Sequence, residues 1–552
     1  VTRAASGVVE RVIEFRGMTG IGMWTIARES PSLPAIVEPA GRTLSRGESE
    51  SGGRTLPHGE PAGRALSYGE LAAEADRIGR GLRDAGLAAG DTVALLLPNG
   101  ADILACYFGA VQIGLHIVPL NWHLTAPEIT YILRDSGARA FVADARFAGA
   151  AIEAGSSLPA SSRFAVGDIP GFLPFATLGA GGSGRPEPRT SGALMVYTSG
   201  TSGRPKGVRR PLLGLDPDVV PPVSNWFFGL FGLRPFDGHV HLCCSPLYHT
   251  AVMNFAVISL QMGHKVVVMD HWDAASFLEL VEQHEVTHSH MVPTQFRRLL
   301  ALPPPVRDKS DISTMRAMIH GAAPCPQPVK QAMLDWWGPV IIEYYAASEG
   351  GGTLITAPEW LARPGSVGRA WPGSRVRVLD DDGKDAPPLT PGQVYLQMGD
   401  ATFEYHGDAE KTRASWRDRM FTVGDIGYLD DDGYLYLCDR ASDVIITGGV
   451  NVYPAEIENE LSTHPAVADS AVFGIPHDEW GEEIKAVVQP VPGVVPSDVL
   501  TAELLQHLTS RLAGFKLPRT IDYTAELPRD PNGKLYKRHL RDPYWSSRPR
   551  QI

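Results

Sequence analysis

The sequence predicts an α/β protein: a large N-terminal domain of layered α/β subdomains that ends in a small β subdomain, then a small α+β C-terminal domain. Two observations carry that prediction. Apolar runs of strand length alternate with helix-length stretches that carry apolar residues on one face, the pattern of a layered sheet joined by crossover helices. Near residue 374 this gives way to short β runs broken by Asp/Gly turns, and a helix-bearing unit begins after Asp439. At 552 residues the chain exceeds one compact core, so at least two domains are expected.

Along the chain, residues 38–66 read as a repeat-containing surface insertion. The octets Gly41–Glu48, Gly53–Glu60 and Gly63–Glu70 share a Gly-Arg-x-Leu-x-x-Gly-Glu pattern whose period is too short for a solenoid. Only the last copy leads into a helix: Ser67 and Glu70 form a capping box, and Leu71, Ala75, Ile78 and Leu82 share one face. Asp91–Leu97 reads as a strand, Ala101–Gly114 as a helix and Leu115–Leu120 as a strand. Thr125 and Glu128 cap the next helix, and Ala138–Val142 is again a strand. Phe164–Pro188 is rich in Gly and Pro and reads as a loop. The alternation resumes with Lys265–Met269, a helix over Ala274–His284, and Thr287–Met291. Residues from about 374 to 438 form the β subdomain, with turns at Asp380–Gly383 and Asp430–Gly433. The N-terminal domain is expected to span 1–439 and the C-terminal domain 440–552, whose first helix has Pro454 near its start.

Composition bounds the function. Hydrophobic residues make up 43% of the chain, as in a globular enzyme, and the net charge of −12 argues against a nucleic-acid surface. Cys106, Cys243, Cys244, Cys325 and Cys438 are scattered without a Cys-x-x-Cys spacing, which fits a reducing compartment. No secretory signal is read at the N-terminus, and Ala251–Gly263 is too short to span a bilayer. A cytoplasmic protein without a transmembrane segment is expected. Peripheral membrane contact and oligomeric state stay open.

The most informative stretch is Tyr197-Thr198-Ser199-Gly200-Thr201-Ser202-Gly203-Arg204-Pro205-Lys206-Gly207-Val208. Glycines let successive N–H groups turn towards one anion, hydroxyls add donors, and Lys206 adds charge, so the composition suits a loop that wraps nucleotide phosphates. It is not a Walker loop, because no Gly-Lys-Ser/Thr ends it. This string closely resembles the phosphate loop of the acyl-adenylate-forming (AMP-binding) superfamily, which includes the acyl-CoA synthetases. Six further stretches match that family in order: Pro246–Thr250, Tyr345–Glu349, Gly365–Arg369, Phe421–Asp425, Asp439-Arg440 with Ile446–Pro454, and Pro528–Lys534.

The resemblance implies an AMP-forming acid–thiol ligase that uses ATP, Mg²⁺ and coenzyme A. A hydrophobic carboxylate, a fatty acid first with an aryl or sterol side-chain acid left open, would become an acyl-adenylate and then a thioester. It implies that Lys534 is the cation linking carboxylate and α-phosphate, and that Glu349 is the Mg²⁺ ligand beside Ser348. Thr198, Ser199, Gly200, Thr201, Ser202, Gly203 and Lys206 would hold phosphate. Tyr345 would lie at adenine, Asp425 would accept from the ribose hydroxyls, and Arg440 would add a ribose or phosphate contact. His249 would sit at the acyl-pocket wall, and Gly448–Gly449 would face pantetheine once the mobile C-terminal domain rotates about Arg440–Ser442. The expected acyl-pocket residues, Val252, Met253, Phe255 and Gly321–Ala323, are small and apolar with no obvious Asp to hold an amino group. Three residues depart from the family pattern: Ala346 for Gly, Ser348 for Thr, and Ser442 for the Asp or Lys common at the hinge. Three alternatives remain: transfer to a carrier-protein pantetheine, a luciferase-like oxygenase that uses the adenylate, and a non-catalytic acyl or nucleotide binder.

Overall fold

The computed structural model describes residues 21–40, 63–198, 205–529 and 535–546. It divides into two compact units: residues 1–290, 304–318 and 402–412, and residues 291–303, 319–401 and 413–552.

In the first unit the capping box forms as expected. Glu70 accepts from the Ser67 N–H at 2.8 Å and starts the helix Tyr68–Asp84, which buries Leu71, Ala75, Ile78 and Leu82. A second box at Thr125 and Glu128 starts Ala126–Asp135. The strands Thr92–Leu96, His116–Pro119 and Ala138–Asp144 pair in parallel, with Ala101–Val111 and Ala126–Asp135 as crossover helices. Gly109 lets two helices approach closely, since a Cβ there would stand 2.7 Å from Ile78. The interval read as a loop over 164–188 holds two short strands, Arg163–Val166 and Leu173–Pro174, which extend this sheet in parallel. Burial of Phe164 and Ala165 supplies what the Gly/Pro composition hid.

Further strands, His288–Met291, Val240–Cys243, Lys265–Val268 and Pro34–Glu38, also run parallel, and Arg64–Ser67 closes antiparallel on Pro34–Glu38. Glu38 and Arg64–Leu66 therefore stand in strands, while residues 41–62, with most of the repeat, lie outside the described residues.

The second unit contains the antiparallel strands Ile341–Ala347, Gly350–Ile355 and Arg369–Ala370. Ser374–Leu379, Gly392–Met398, Asp425–Leu429 and Leu435–Arg440 build the antiparallel β subdomain. The C-terminal part is α+β. Val467–His477 and Gly481–Pro490 pair antiparallel, and helices Pro454–Leu461 and Asp498–Thr509 bury Ile457, Leu461, Leu500, Leu504 and Leu508 against them. Among the described residues no helix is long and apolar enough to cross a membrane.

The core of the first unit is unusual in its histidines. His239, His241, His264 and His288 pack ring against ring at 4.8 to 5.8 Å, and His290 stacks on Phe255 at 4.9 Å. Ser259 and Thr287 hydroxyls hydrogen-bond His288. Burial holds all of these rings neutral. It pushes the imidazole of His241 down to about 3 and those of His264 and His290 to about 4, and depresses that of His288 further than the ordinary range.

A ring that stays neutral when folded but takes a proton once unfolded makes the unfolded chain the stronger proton binder at acid pH. Stability must therefore rise with pH across that window. We expect the urea midpoint to be level above about pH 7 and to fall steadily from about pH 6.5 towards about pH 5. His241→Phe should make the fall shallower. A wild-type midpoint that does not move across this range would refute the argument.

Candidate active site

The phosphate motif sits on a hairpin. Val196–Thr198 pairs antiparallel with Lys206–Arg209, with Thr198 opposite Lys206, so the glycine-rich segment is the connection between them. Ser199, Gly200, Thr201, Ser202 and Gly203 lie outside the described residues. Its base is well anchored. Tyr197 donates to Asp135 at 2.6 Å, and Tyr131 donates to the Pro205 carbonyl at 3.1 Å. Gly207 leaves room for a neighbour, because a Cβ there would stand 2.5 Å from the terminal methyl of Met195 and displace that side chain. Lys206 pairs with Asp408 at 2.9 Å, a hydrogen bond that raises its pKa and fixes the ammonium at the start of its strand.

His249 is the N-cap of the helix Thr250–Gln261. Its ring packs on Tyr248 at 4.3 Å, and Tyr248 meets Trp122 edge-on at 4.6 Å, making a continuous aromatic wall. Buried Asn99 shapes the approach. It donates to the carbonyls of Ser245 and Met269, both at 3.0 Å, and accepts from the Leu247 N–H at 2.8 Å. Sequence reasoning missed both Asn99 and Asp408. Each acts across more than a hundred residues and lies in no local pattern.

In the second unit, Ser348 and Glu349 form the two-residue connection between Ile341–Ala347 and Gly350–Ile355. Both are half-buried. The paired strand is glycine-rich for a steric reason: at Gly352 a Cβ would stand 2.2 Å from the Tyr345 carbonyl and 2.5 Å from Trp371. Tyr345 donates its hydroxyl to Asp425 at 2.6 Å. Burial raises the Tyr345 pKa well above its ordinary value, and the Asp425 charge adds to this, so the phenol remains a donor. Arg440 approaches the other Asp425 oxygen at 3.4 Å. The structure thus brings Tyr345, Asp425 and Arg440 together around one buried carboxylate.

The Gly365–Arg369 motif is architectural. Gly368 has φ +92° and its missing Cβ would collide with the Leu354 carbonyl, while Ser366 donates to the Leu435 carbonyl at 2.9 Å. Gly448 and Gly449, with φ of 57° and 78°, are the tight turn between Ile445–Thr447 and Val450–Val452. A cavity of about 220 Å³ opens beside them, lined by Gly448, Trp480, Phe515 and Arg519. Lys534 lies outside the described residues, but the chain on either side is placed: Arg529 and Leu535 bridge antiparallel, and the Tyr536 N–H donates to the Pro528 carbonyl at 2.8 Å.

A layered α/β domain, a glycine-rich hairpin with a following lysine, and a buried tyrosine–aspartate–arginine cluster define a nucleotide-using enzyme of the adenylate-forming kind. The chain belongs to the AMP-binding enzyme family: the family model matches residues 46–404, and the model of the AMP-binding enzyme C-terminal domain matches residues 456–534. It is 33% identical over 493 residues to a fatty acid–[acyl-carrier-protein] ligase of Streptomyces coeruleorubidus, covering 88% of this chain and 92% of that one. It is 34% identical over 532 residues to a feruloyl-CoA synthase of an Amycolatopsis species, covering 95% and 98%. The fold matches ATP-bound MatB from Rhodopseudomonas palustris with a TM-score of 0.76 at 28% identity, covering 95% of this chain and 99% of that one.

The Tyr345–Asp425 bond gives a direct test. Tyr345→Phe keeps the ring but removes the donor that orients the carboxylate. We expect the KM for ATP to rise about tenfold, the worth of one hydrogen bond to a charged group. If Asp425 is the ribose acceptor that the resemblance implies, discrimination between ATP and 3′-deoxy-ATP should weaken in parallel. An unchanged preference for the ribose hydroxyl would show that Asp425 needs no such support.

Proposed function

We propose that this chain activates a hydrophobic carboxylic acid, a fatty acid in the first reading, as an acyl-adenylate and then passes the acyl group to coenzyme A. The observation that carries this reading is Asp425, a buried carboxylate with Tyr345 and Arg440 on its two oxygens, suited to fixing a ribose by charge-assisted hydrogen bonds. Glu349, at a half-exposed hairpin tip, fits Mg²⁺, which takes one or two protein carboxylates and completes its shell with phosphate and water. That ion would supply charge neutralisation at the phosphates.

In the first half-reaction a carboxylate oxygen bonds to the α-phosphorus of ATP and the bond to pyrophosphate breaks. Two anions must meet, so fixed positive charge and positioning do most of the work. Lys206 and the glycine-rich connection take the phosphates, and Lys534 bridges carboxylate and α-phosphate. His249 forms part of the acyl-pocket wall without acting as a base. In the second half-reaction the thiolate of coenzyme A bonds to the acyl carbon and AMP leaves with the anhydride oxygen. Gly448–Gly449 lines the thiol's approach, and the C-terminal domain, beginning near residue 440, turns about Arg440–Ser442 between the steps. The five free cysteines support a reducing, cytoplasmic setting.

An aromatic acid is the second reading. The wall formed by Trp122, Tyr248 and His249 favours it, since flat rings pack well against such a surface.

One reaction separates these readings. The enzyme is incubated with Mg²⁺-ATP, coenzyme A and a pool of decanoate, palmitate, ferulate, benzoate and a bile acid, then analysed by mass spectrometry. We expect one acyl-CoA with matching AMP, and the acid consumed names the substrate class. Acyl-AMP without thioester would point instead to a carrier-protein acceptor. Lys534→Ala should slow adenylate formation by at least about a hundredfold, as removal of a charge-stabilising group does, while thioester formation from supplied acyl-AMP continues.

A further inference from the structure

Asn99 lies where three parallel strands end. It follows the strand Thr92–Leu96, and its amide reaches into the neighbouring sheet, whose strands Val240–Cys243 and Lys265–Val268 pair in parallel. Both amide hydrogens are used there. One goes to the Ser245 carbonyl just past Cys243 and the other to the Met269 carbonyl next to Val268, each at 3.0 Å. The amide oxygen accepts from the Leu247 N–H at 2.8 Å. Asn99 is 7% exposed, so these bonds form away from water, where leaving one unmade is costly. The backbone beside it is fixed as well. The Ala101 N–H donates to Glu38 of the neighbouring sheet at 2.7 Å, and Gly100 makes the room, since a Cβ there would stand 2.5 Å from that carboxylate.

What this amide holds is the run of chain that leads to Tyr248 and His249. Ser245 and Leu247 are tied at alternate residues, and Leu247 is fully buried. The His249 N–H then turns back to the Pro246 carbonyl at 3.1 Å before the helix Thr250–Gln261 begins. Little freedom is left between the tie and the two rings. The other half of the aromatic wall comes from the sheet that carries Asn99. Trp122 follows His116–Pro119, the parallel neighbour of Thr92–Leu96, and meets Tyr248 edge-on at 4.6 Å. The wall is therefore a seam between two sheets, and Asn99 is a buried tie across that seam. A second tie, Arg146 to both oxygens of Asp270 at 2.8 Å, crosses between the same two sheets from a more exposed position, and it grips Asp270 rather than the run from Ser245 to His249.

We propose that Asn99 is a positioning residue for the carboxylic acid: by gripping Ser245 and Leu247 it sets the angle at which Tyr248 and His249 meet Trp122. The proposal rests on the reading that this wall borders the acyl group. The amide itself is what the place requires. Aspartate has the same shape and would still accept from the Leu247 N–H, but it would turn an oxygen without hydrogens towards two carbonyl oxygens. The Ser245 and Met269 carbonyls would lose their donors and be pushed away. The wall would shift with them, and an acid shaped to it would bind less well. ATP, held by other residues in the proposed mechanism, would not feel the change.

The test uses the full-length enzyme as wild type, Asn99→Asp, Asn99→Ala, Tyr248→Leu, the double variant Asn99→Asp with Tyr248→Leu, and Arg146→Ala. Pyrophosphate release is measured against ATP and against whichever of decanoate, palmitate, ferulate, benzoate and a bile acid the wild type consumes fastest. Asn99→Asp should raise the KM for that acid about tenfold, the worth of a buried hydrogen bond, with the KM for ATP unchanged. Asn99→Ala removes the tie without adding a charge and should do the same, so the test stands even where the charged variant folds poorly. Tyr248→Leu should raise the same constant, and the double variant should be little worse than Tyr248→Leu alone, because Asn99 acts through that ring. Arg146→Ala should leave both constants unchanged. Hydrogen–deuterium exchange of peptides spanning Ser245–Met253 should rise in Asn99→Ala without a general rise elsewhere, a readout independent of the acid. The proposal is overturned if the acid and ATP constants of the Asn99 variants rise together, if the Asn99 and Tyr248 effects multiply, if Arg146→Ala matches Asn99→Asp, or if exchange over Ser245–Met253 does not change. A normal acid KM in both Asn99 variants while Tyr248→Leu raises it overturns the role of Asn99 alone. An unchanged acid KM in Tyr248→Leu, or turnover of none of these acids, overturns the reading of the wall itself.

Discussion

Asp425 and Arg440 face each other across one antiparallel ladder, and much of the nucleotide end of this enzyme depends on that pairing. Their register puts a carboxylate beside a guanidinium at the last rungs before the chain leaves the β subdomain. The same ladder is continued by the Ala441 N–H donating to the Gly424 carbonyl at 2.8 Å. Asp439, one residue earlier, accepts from the Arg440 N–H at 2.8 Å and from the Ala455 N–H at 3.0 Å at the start of the next helix. The group read as the ribose acceptor and the segment read as the hinge are thus consecutive parts of one hydrogen-bonded run. Any turn about Arg440–Ser442 begins from a fixed point at Asp425.

Three of the candidate motifs share a second constraint: each joins two antiparallel strands. The phosphate segment joins Val196–Thr198 to Lys206–Arg209, Ser348–Glu349 joins two strands, and Gly448–Gly449 closes a third hairpin. At Ser348–Glu349 and Gly448–Gly449, a tight reversal presents backbone N–H groups and short side chains beyond the ends of the flanking ladders. That arrangement suits the binding of anions without long, mobile side chains.

Much of this was legible in the sequence because it is written in local chemistry. The capping boxes at Ser67–Glu70 and Thr125–Glu128 form as their spacing requires, and the crossover strands and helices follow the apolar periodicity. Tyr345, Asp425, Arg440, Gly448 and Gly449 were readable as motif residues. That Tyr345 donates to Asp425 was not, because the partners are eighty residues apart. Asn99 and Asp408 were invisible for the same reason: a lone Asn or Asp has no periodicity, and its meaning comes only from the distant group it meets. The strand Arg163–Val166 was obscured by the Gly- and Pro-rich residues that follow it, and its apolar pair is too short to stand out.

One buried ion pair explains how the Tyr345 geometry survives thermal motion. Lys330, 1% exposed, reaches Glu343 at 2.5 Å, with the Trp360 ring 4.9 Å from the ammonium and His320 at 3.8 Å from the carboxylate. Glu343 and Tyr345 are two residues apart on one strand and so share a face. A slip of one residue in the pairing with Gly350–Ile355 would turn both to the opposite face. Glu343 would then lose Lys330, its partner cation, at a cost of several kcal/mol, about 3 to 5 for an unpaired buried charge. The apolar residues of this strand are poor guardians of register, since Ile341 and Ile342 fit either face. The Lys330–Glu343 pair contributes little net stability by its attraction, because desolvation offsets it. Its contribution is to make one register far better than its neighbours, and that register points the Tyr345 hydroxyl at Asp425.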